Sequence, residues 1–159
     1  MLPLLVVMAD IAPPDAFPSS WAQFSRSRSL IFVTEDVDIA LAERGSNTTY
    51  RYRLRLTRRT LNGVPQVRYA DSVKCPAIQN VITSMKSLKM PAPAPYGWWD
   101  GPGRVIMEDG IRYSLSAPAS DINGEMTISA NMGSPLAAWV DSSLNKLELC
   151  WTNAPSELK

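Results

Sequence analysis

An α+β domain is predicted: an antiparallel sheet of about five or six strands with two helices packed on one face, a two-layer sandwich. Three patterns in the sequence predict it. Tyr50, Tyr52, Leu54 and Leu56 alternate with Arg51, Arg53 and Arg55, which is the period of a half-buried strand. Ile78, Val81, Ile82, Met85 and Leu88 recur at helical spacing after Cys75-Pro76, and Leu136, Trp139, Val140, Leu144 and Leu147 do so after Ser134-Pro135. Each element has a single apolar side, and placing both helices on one sheet face buries all of them at once.

The chain opens on the apolar run LPLLVVMA at residues 2–9, about a third of the length a bilayer crossing needs. Residues 1–12 are read as a signal-peptide remnant, with Val7 and Ala9 placed for cleavage but no positive n-region, or else as an N-terminal arm. Residues 13–154 form the expected single globular domain and 155–159 a frayed tail. Trp21 and Phe24, three apart, suggest a helix of one or two turns over residues 19–28. The run LIFVT at 30–34, followed by Val37, Ile39 and Leu41 alternating with Asp36 and Asp38, predicts one long strand or two short ones.

Turn residues at 44–47 then lead into the alternating strand over 48–60. Asn62-Gly63 is a strong hairpin signal because both residues tolerate the positive φ of a two-residue turn. Such a turn sets Leu61 against Val64, Leu56 against Tyr69 and Thr57 against Arg68. Pro76 suits the first position of a helix. The segment MPAPAP at 90–95 ends that helix as extended polyproline, and YGWWDGPG at 96–103 follows as a loop. A second hairpin is expected over 104–117, hinged near Asp109-Gly110, then a strand over 125–130 and the last helix, ending at Cys150 and Trp151. The order of strands, helix, strands, helix hints at a duplicated hairpin-plus-helix unit.

Composition narrows the function. Of 159 residues 45% are hydrophobic and 19% charged, so the chain has the makings of a real core. Lys plus Arg number 16 against 15 for Asp plus Glu, a whole-molecule field too weak to point to nucleic acid. Histidine is absent, which removes the usual base near neutral pH and the commonest metal ligand. No motif implies a metal or a cofactor, no transmembrane segment is expected, and an enzyme is disfavoured.

Cys75 begins one helix and Cys150 ends the other, so antiparallel helices bring both sulfurs to one end of the sheet. A disulfide between them, together with the N-terminal run, predicts an oxidising compartment, periplasmic or secreted. The rival reading is a reactive Cys75 thiolate beside Lys74 at a helix N-terminus.

Two surfaces are candidates for binding. Arg51, Arg53, Arg55, Arg59 and Arg68 form an expected basic stripe suited to an anion, although parity places Asp38 against Arg53 or Arg55 and makes an ion-paired strand face the simpler reading. Tyr96, Trp98, Trp99 and Asp100 form a loop suited to stacking on a sugar or a partner protein. Catalysis without histidine would fall to paired carboxylates, for which Glu35, Asp36, Asp100, Glu108 and Asp109 are the candidates. The sequence thus predicts a small exported binding domain with an envelope protein or glycan as partner. The alternatives are a carboxylate hydrolase acting on glycans and a thiol-based redox protein.

Overall fold

The computed structural model describes residues 17–44, 50–89, 110–119 and 124–155. The strands are β1 (Ser20–Arg28), β2 (Val33–Arg44), β3 (Tyr50–Thr60), β4 (Gln66–Asp71), β5 (Ile111–Pro118) and β6 (Glu125–Asn131), and the helices are α1 (Ala77–Ser84) and α2 (Pro135–Leu147). All six strands pair antiparallel in the order β4-β3-β2-β1-β5-β6. The first four form a meander. The chain then passes through α1 and returns beside β1, so the two halves contribute four strands and two.

One face carries the core. Phe24, Val37, Ile39, Leu54, Tyr113 and Leu115 are buried there with Ile78 and Val81 of α1 and Val140, Leu144 and Leu147 of α2. Ser134 caps α2 by accepting a hydrogen bond on Oγ from the Ala137 N–H at 3.0 Å, and Pro135 follows at the helix start, where a missing N–H does no harm. Gly133, at φ 82°, makes the reversal from β6 into α2. The helices are tied by Trp139 Nε1, which donates to Ser84 Oγ at 2.9 Å, and the Phe24 ring meets that indole edge-on at 5.2 Å.

Three expectations are corrected. Residues 20–28 are a central strand, not a helix: Ala22 and Phe24 turn into the core while Ser25 and Ser27 face the other way. A register shift between Ser20 and Ala22 takes Trp21 out of the alternation, which is why its spacing to Phe24 imitated a helix. The run LIFVT is not continuous strand either. Leu30, Ile31 and Phe32 form the β1–β2 turn, with Phe32 N–H donating to the Ser29 carbonyl at 3.3 Å, and β2 starts at Val33.

The third correction is the β3–β4 register, where Leu56 faces Arg68 and Arg55 faces Tyr69, one residue from expectation. Arg58 and Gln66 form the last pair, so residues 59–65 make an odd-numbered connection in place of the two-residue turn. Pro65 has no N–H to give the ladder. The observed register also lays small Ala70 beneath the helices and sets Asp71 opposite Arg53. Its consequence is that Arg68 lies on the helix-bearing face, away from the other arginines of the expected stripe.

Cys75 and Cys150 are disulfide-bonded, with Cα atoms 5.7 Å apart and a sequence separation of 75. The helices therefore run antiparallel with their bridged termini at one end, as the spacing predicted. Just beyond the bridge, Thr152 exchanges two backbone hydrogen bonds of 2.8 Å with Tyr69 on the outer edge of β4. Among the described residues no helix is long and apolar enough to cross a membrane. The expected N-terminal arm or signal remnant at 1–12, the polyproline and aromatic loops at 90–103 and the first strand of the second hairpin at 104–109 lie outside the described residues.

Closing a 75-residue loop restricts the unfolded chain, so reducing the bridge or replacing both cysteines by alanine lowers stability by about 4 kcal/mol. Urea unfolding of the oxidised and reduced chain measures this, and equal midpoints would refute it.

Candidate functional site

The sheet face opposite the helices divides into two chemically different halves. Toward β4 it is charged. Arg55 donates to Asp38 at 2.8 and 3.0 Å, and Gln23 Nε2 donates to the other oxygen of Asp38 at 3.2 Å. Arg51 donates to Asp71 at 2.9 Å, with Arg53 Nε 3.7 Å from the same carboxylate, and Arg59 pairs with Asp36. Toward β6 it is mainly hydroxylic: Ser25 and Ser114 share a hydrogen bond of 2.7 Å, Thr127 donates to Ser116 at 3.3 Å and Ser116 donates to Glu125, with Arg112 near the strand end.

Period-two alternation in β2 and β3 produces the charged half. Because Val37 and Ile39 must face Leu56 and Leu54 in the core, Asp38 necessarily faces Arg55, the cross-strand pairing that parity predicted. Of the expected stripe, Arg51, Arg53, Arg55 and Arg59 share this face and are interleaved with Asp36, Asp38 and Asp71. The Phe17 ring stacks 4.7 Å from the Arg55 guanidinium carbon. Arg53 is buried, and its Nε and one terminal nitrogen have no hydrogen-bond partner among the described residues.

Asp71 is the residue that the sequence reading missed, since the mistaken register put it opposite Leu54. It is buried, and burial alone would raise its pKa. Hydrogen bonds from Arg51 and the Val73 N–H and the nearby charges of Arg51 and Arg53 outweigh that and hold it below its ordinary value. Burial has the opposite result at Asp36, whose pKa is raised despite Arg59.

The two described carboxylate candidates, Glu35 and Asp36, do not converge. Glu35 and Asp36 are neighbours in β2 and point to opposite faces, Glu35 to Arg26 at 2.6 Å and Asp36 to Arg59. Arg26 also reaches Asp141 of α2 at 2.7 Å, and Asp141 accepts from the Tyr113 hydroxyl at 3.0 Å. Burial would lower the Arg26 pKa, but its bonds to Glu35 and Asp141 raise it instead, as expected of a cation fixed between two anions. This cluster fastens α2 to the sheet. Cys75 is held in the bridge and carries no free thiol. Tyr96, Trp98, Trp99, Asp100, Glu108 and Asp109 lie outside the described residues.

A third surface, not anticipated from the sequence, occupies the end of the sheet remote from the disulfide. Three turns meet there: β1–β2, β3–β4 and the passage from β6 to α2. They expose Leu30 (72%), Ile31 (57%), Phe32 (58%), Leu61 (65%), Val64 (87%) and Met132 (46%). Phe32 holds φ 47°, a conformation that glycine or asparagine adopts far more readily. The exposed apolar residues of the opposite end are Trp21, Leu41, Tyr50, Val73 and Leu149. There Trp21 and Tyr50 each lie beside Tyr52, with ring centroids 6.1 and 6.4 Å away.

Comparison with protein-family models, curated proteins and solved structures finds no match to this chain.

Replacing Asp71 by asparagine leaves Arg51 and Arg53 facing an uncharged group, and this destabilises the fold by about 3 kcal/mol at pH 7. A carboxylate with a depressed folded pKa stabilises fully above its unfolded value and loses that contribution as pH falls through the folded one. The gap between wild type and Asp71→Asn in urea unfolding therefore stays constant from pH 7 down to about 5 and narrows below about pH 4.

Proposed function

We propose that this chain is a small disulfide-braced interaction domain of an oxidising compartment, periplasmic or extracellular, working by surface contact. The observation that carries this reading is the set of exposed apolar turns at the end remote from the bridge. Three consecutive large apolar residues, Leu30, Ile31 and Phe32, stand in solvent at a hairpin turn. Turns ordinarily use Gly, Asn, Asp or Ser, and a run of exposed apolar residues lowers solubility unless it has a counterpart to cover it. The Cys75–Cys150 bridge supports the compartment, because structural disulfides persist where thiols are not kept reduced.

The aromatic residues Tyr96, Trp98 and Trp99, with Asp100, are a further candidate contact for an envelope protein or glycan.

A photo-crosslinking residue placed at Ile31, compared with one at exposed Lys146 of α2, tests the main reading in cells that export the chain. The expected outcome is an adduct, to lipid or protein, that forms from position 31 and not from position 146. The same yield from both positions removes the turns as the contact surface.

A further inference from the structure

The net charge of +1 conceals an uneven distribution. Arg28, Arg58, Arg68 and Arg112 all lie within the outer three residues of their strands at the end where the apolar turns project. None of the four meets a carboxylate among the described residues, and the Arg28 Nε is buried without a hydrogen-bond partner. Among the described residues the acidic groups nearest this end are engaged elsewhere: Glu35, which faces Arg58 across the β2–β3 pair, and Asp141 bond Arg26, and Asp36 bonds Arg59. Behind the exposed turns of Leu30, Ile31, Phe32, Leu61 and Val64 there is thus a collar of cations drawn from both faces of the sheet: Arg28, Arg58 and Arg68 from the helix-bearing face and Arg112 from the other.

Resting on the interaction-domain reading, we infer that this end of the molecule docks on an anionic lipid surface, with the apolar turns entering the headgroup and acyl boundary and the arginines meeting lipid phosphates. Two layers of chemistry have to be matched, and a lipid interface offers both in the same order: apolar chains at depth, anionic groups above them. The apolar residues stand on separate projecting turns. A deformable bilayer accepts separate convex tips, whereas a protein partner would need a matching concavity for each. Arginine suits the collar because its stem covers apolar surface while its planar head bonds phosphate with two N–H groups. Docking of this kind engages only the surface of the bilayer.

The test is co-sedimentation of the full oxidised chain with vesicles of equal parts phosphatidylglycerol and phosphatidylcholine, against vesicles of phosphatidylcholine alone. Binding to the anionic vesicles and not to the neutral ones is expected, weakening at about 1 M salt, where the Debye length falls to about 3 Å. Leu30→Ser with Ile31→Ser lowers the partition coefficient at least about tenfold, and Arg58→Gln or Arg112→Gln lowers it about fivefold each. Leu149→Ser, fully exposed and adjacent to the bridged Cys150, leaves it unchanged. Every altered residue here except Arg112 and Arg58 is an exposed turn or surface apolar group, and circular dichroism melts confirm that all variants keep the wild-type fold. Absence of binding to anionic vesicles, equal binding to neutral ones, or binding that the Leu30 and Ile31 substitutions leave intact overturns the inference. Protein adducts from position 31 combined with absent vesicle binding would overturn the lipid assignment and leave the interaction reading standing.

Discussion

The pairing of β2 with β3 is the constraint on which the rest of the molecule depends. These are the two longest strands among the described residues, of 12 and 11 residues, and their register sets Val37 against Leu56 and Ile39 against Leu54 under the helices. Once that is fixed, period two leaves no freedom on the reverse side: Asp38 must face Arg55, and Asp36 must lie within reach of Arg59. A slip by one residue would carry the carboxylates and guanidinium groups into the core and the aliphatic side chains into solvent. Core and ion-pair lattice are thus two consequences of a single alignment, and each penalises the errors that would spoil the other.

What the sequence disclosed follows from that logic. The alternation of β3, the helical spacing of α1 and α2 and the meeting of Cys75 with Cys150 were all legible, because each depends on a periodicity repeated several times. The failures fall where one residue breaks a period. Trp21 sits at an irregularity in β1 and made a central strand imitate a helix. The connection between β3 and β4 has odd length, and that alone exchanged Arg68 for Tyr69 across the sheet and hid Asp71 opposite an aliphatic residue. Apolar residues at 30–32 looked like strand because composition cannot tell a buried run from one held out in a turn. Only burial separates the two, and burial is a property of the whole fold.

The candidate site was less legible than the fold for a related reason. Five arginines were expected on one face, laced by cross-strand aspartates or else open to an anion, and parity already placed Asp38 against Arg53 or Arg55. The structure interleaves four of them with three aspartates from neighbouring strands, and the fifth is on the other face. The arginines that meet no carboxylate among the described residues, Arg28, Arg58, Arg68 and Arg112, come from four different strands and share no sequence pattern. They are neighbours only because antiparallel pairing brings alternate strand ends to the same side of the sheet. Near-zero net charge is for this reason a weak guide to how a small sheet protein presents its charges locally.

The short exchange between Thr152 and Tyr69 has an effect beyond anchoring the chain after α2. A terminal strand such as β4 offers a row of unoccupied peptide groups onto which a strand of another molecule can add. Residue 152 occupies the donor and acceptor of Tyr69 midway along that row, and the disulfide two positions earlier holds it there. Reduction therefore does more than loosen the fold: it frees the one described residue that interrupts this border of the sheet against strand addition.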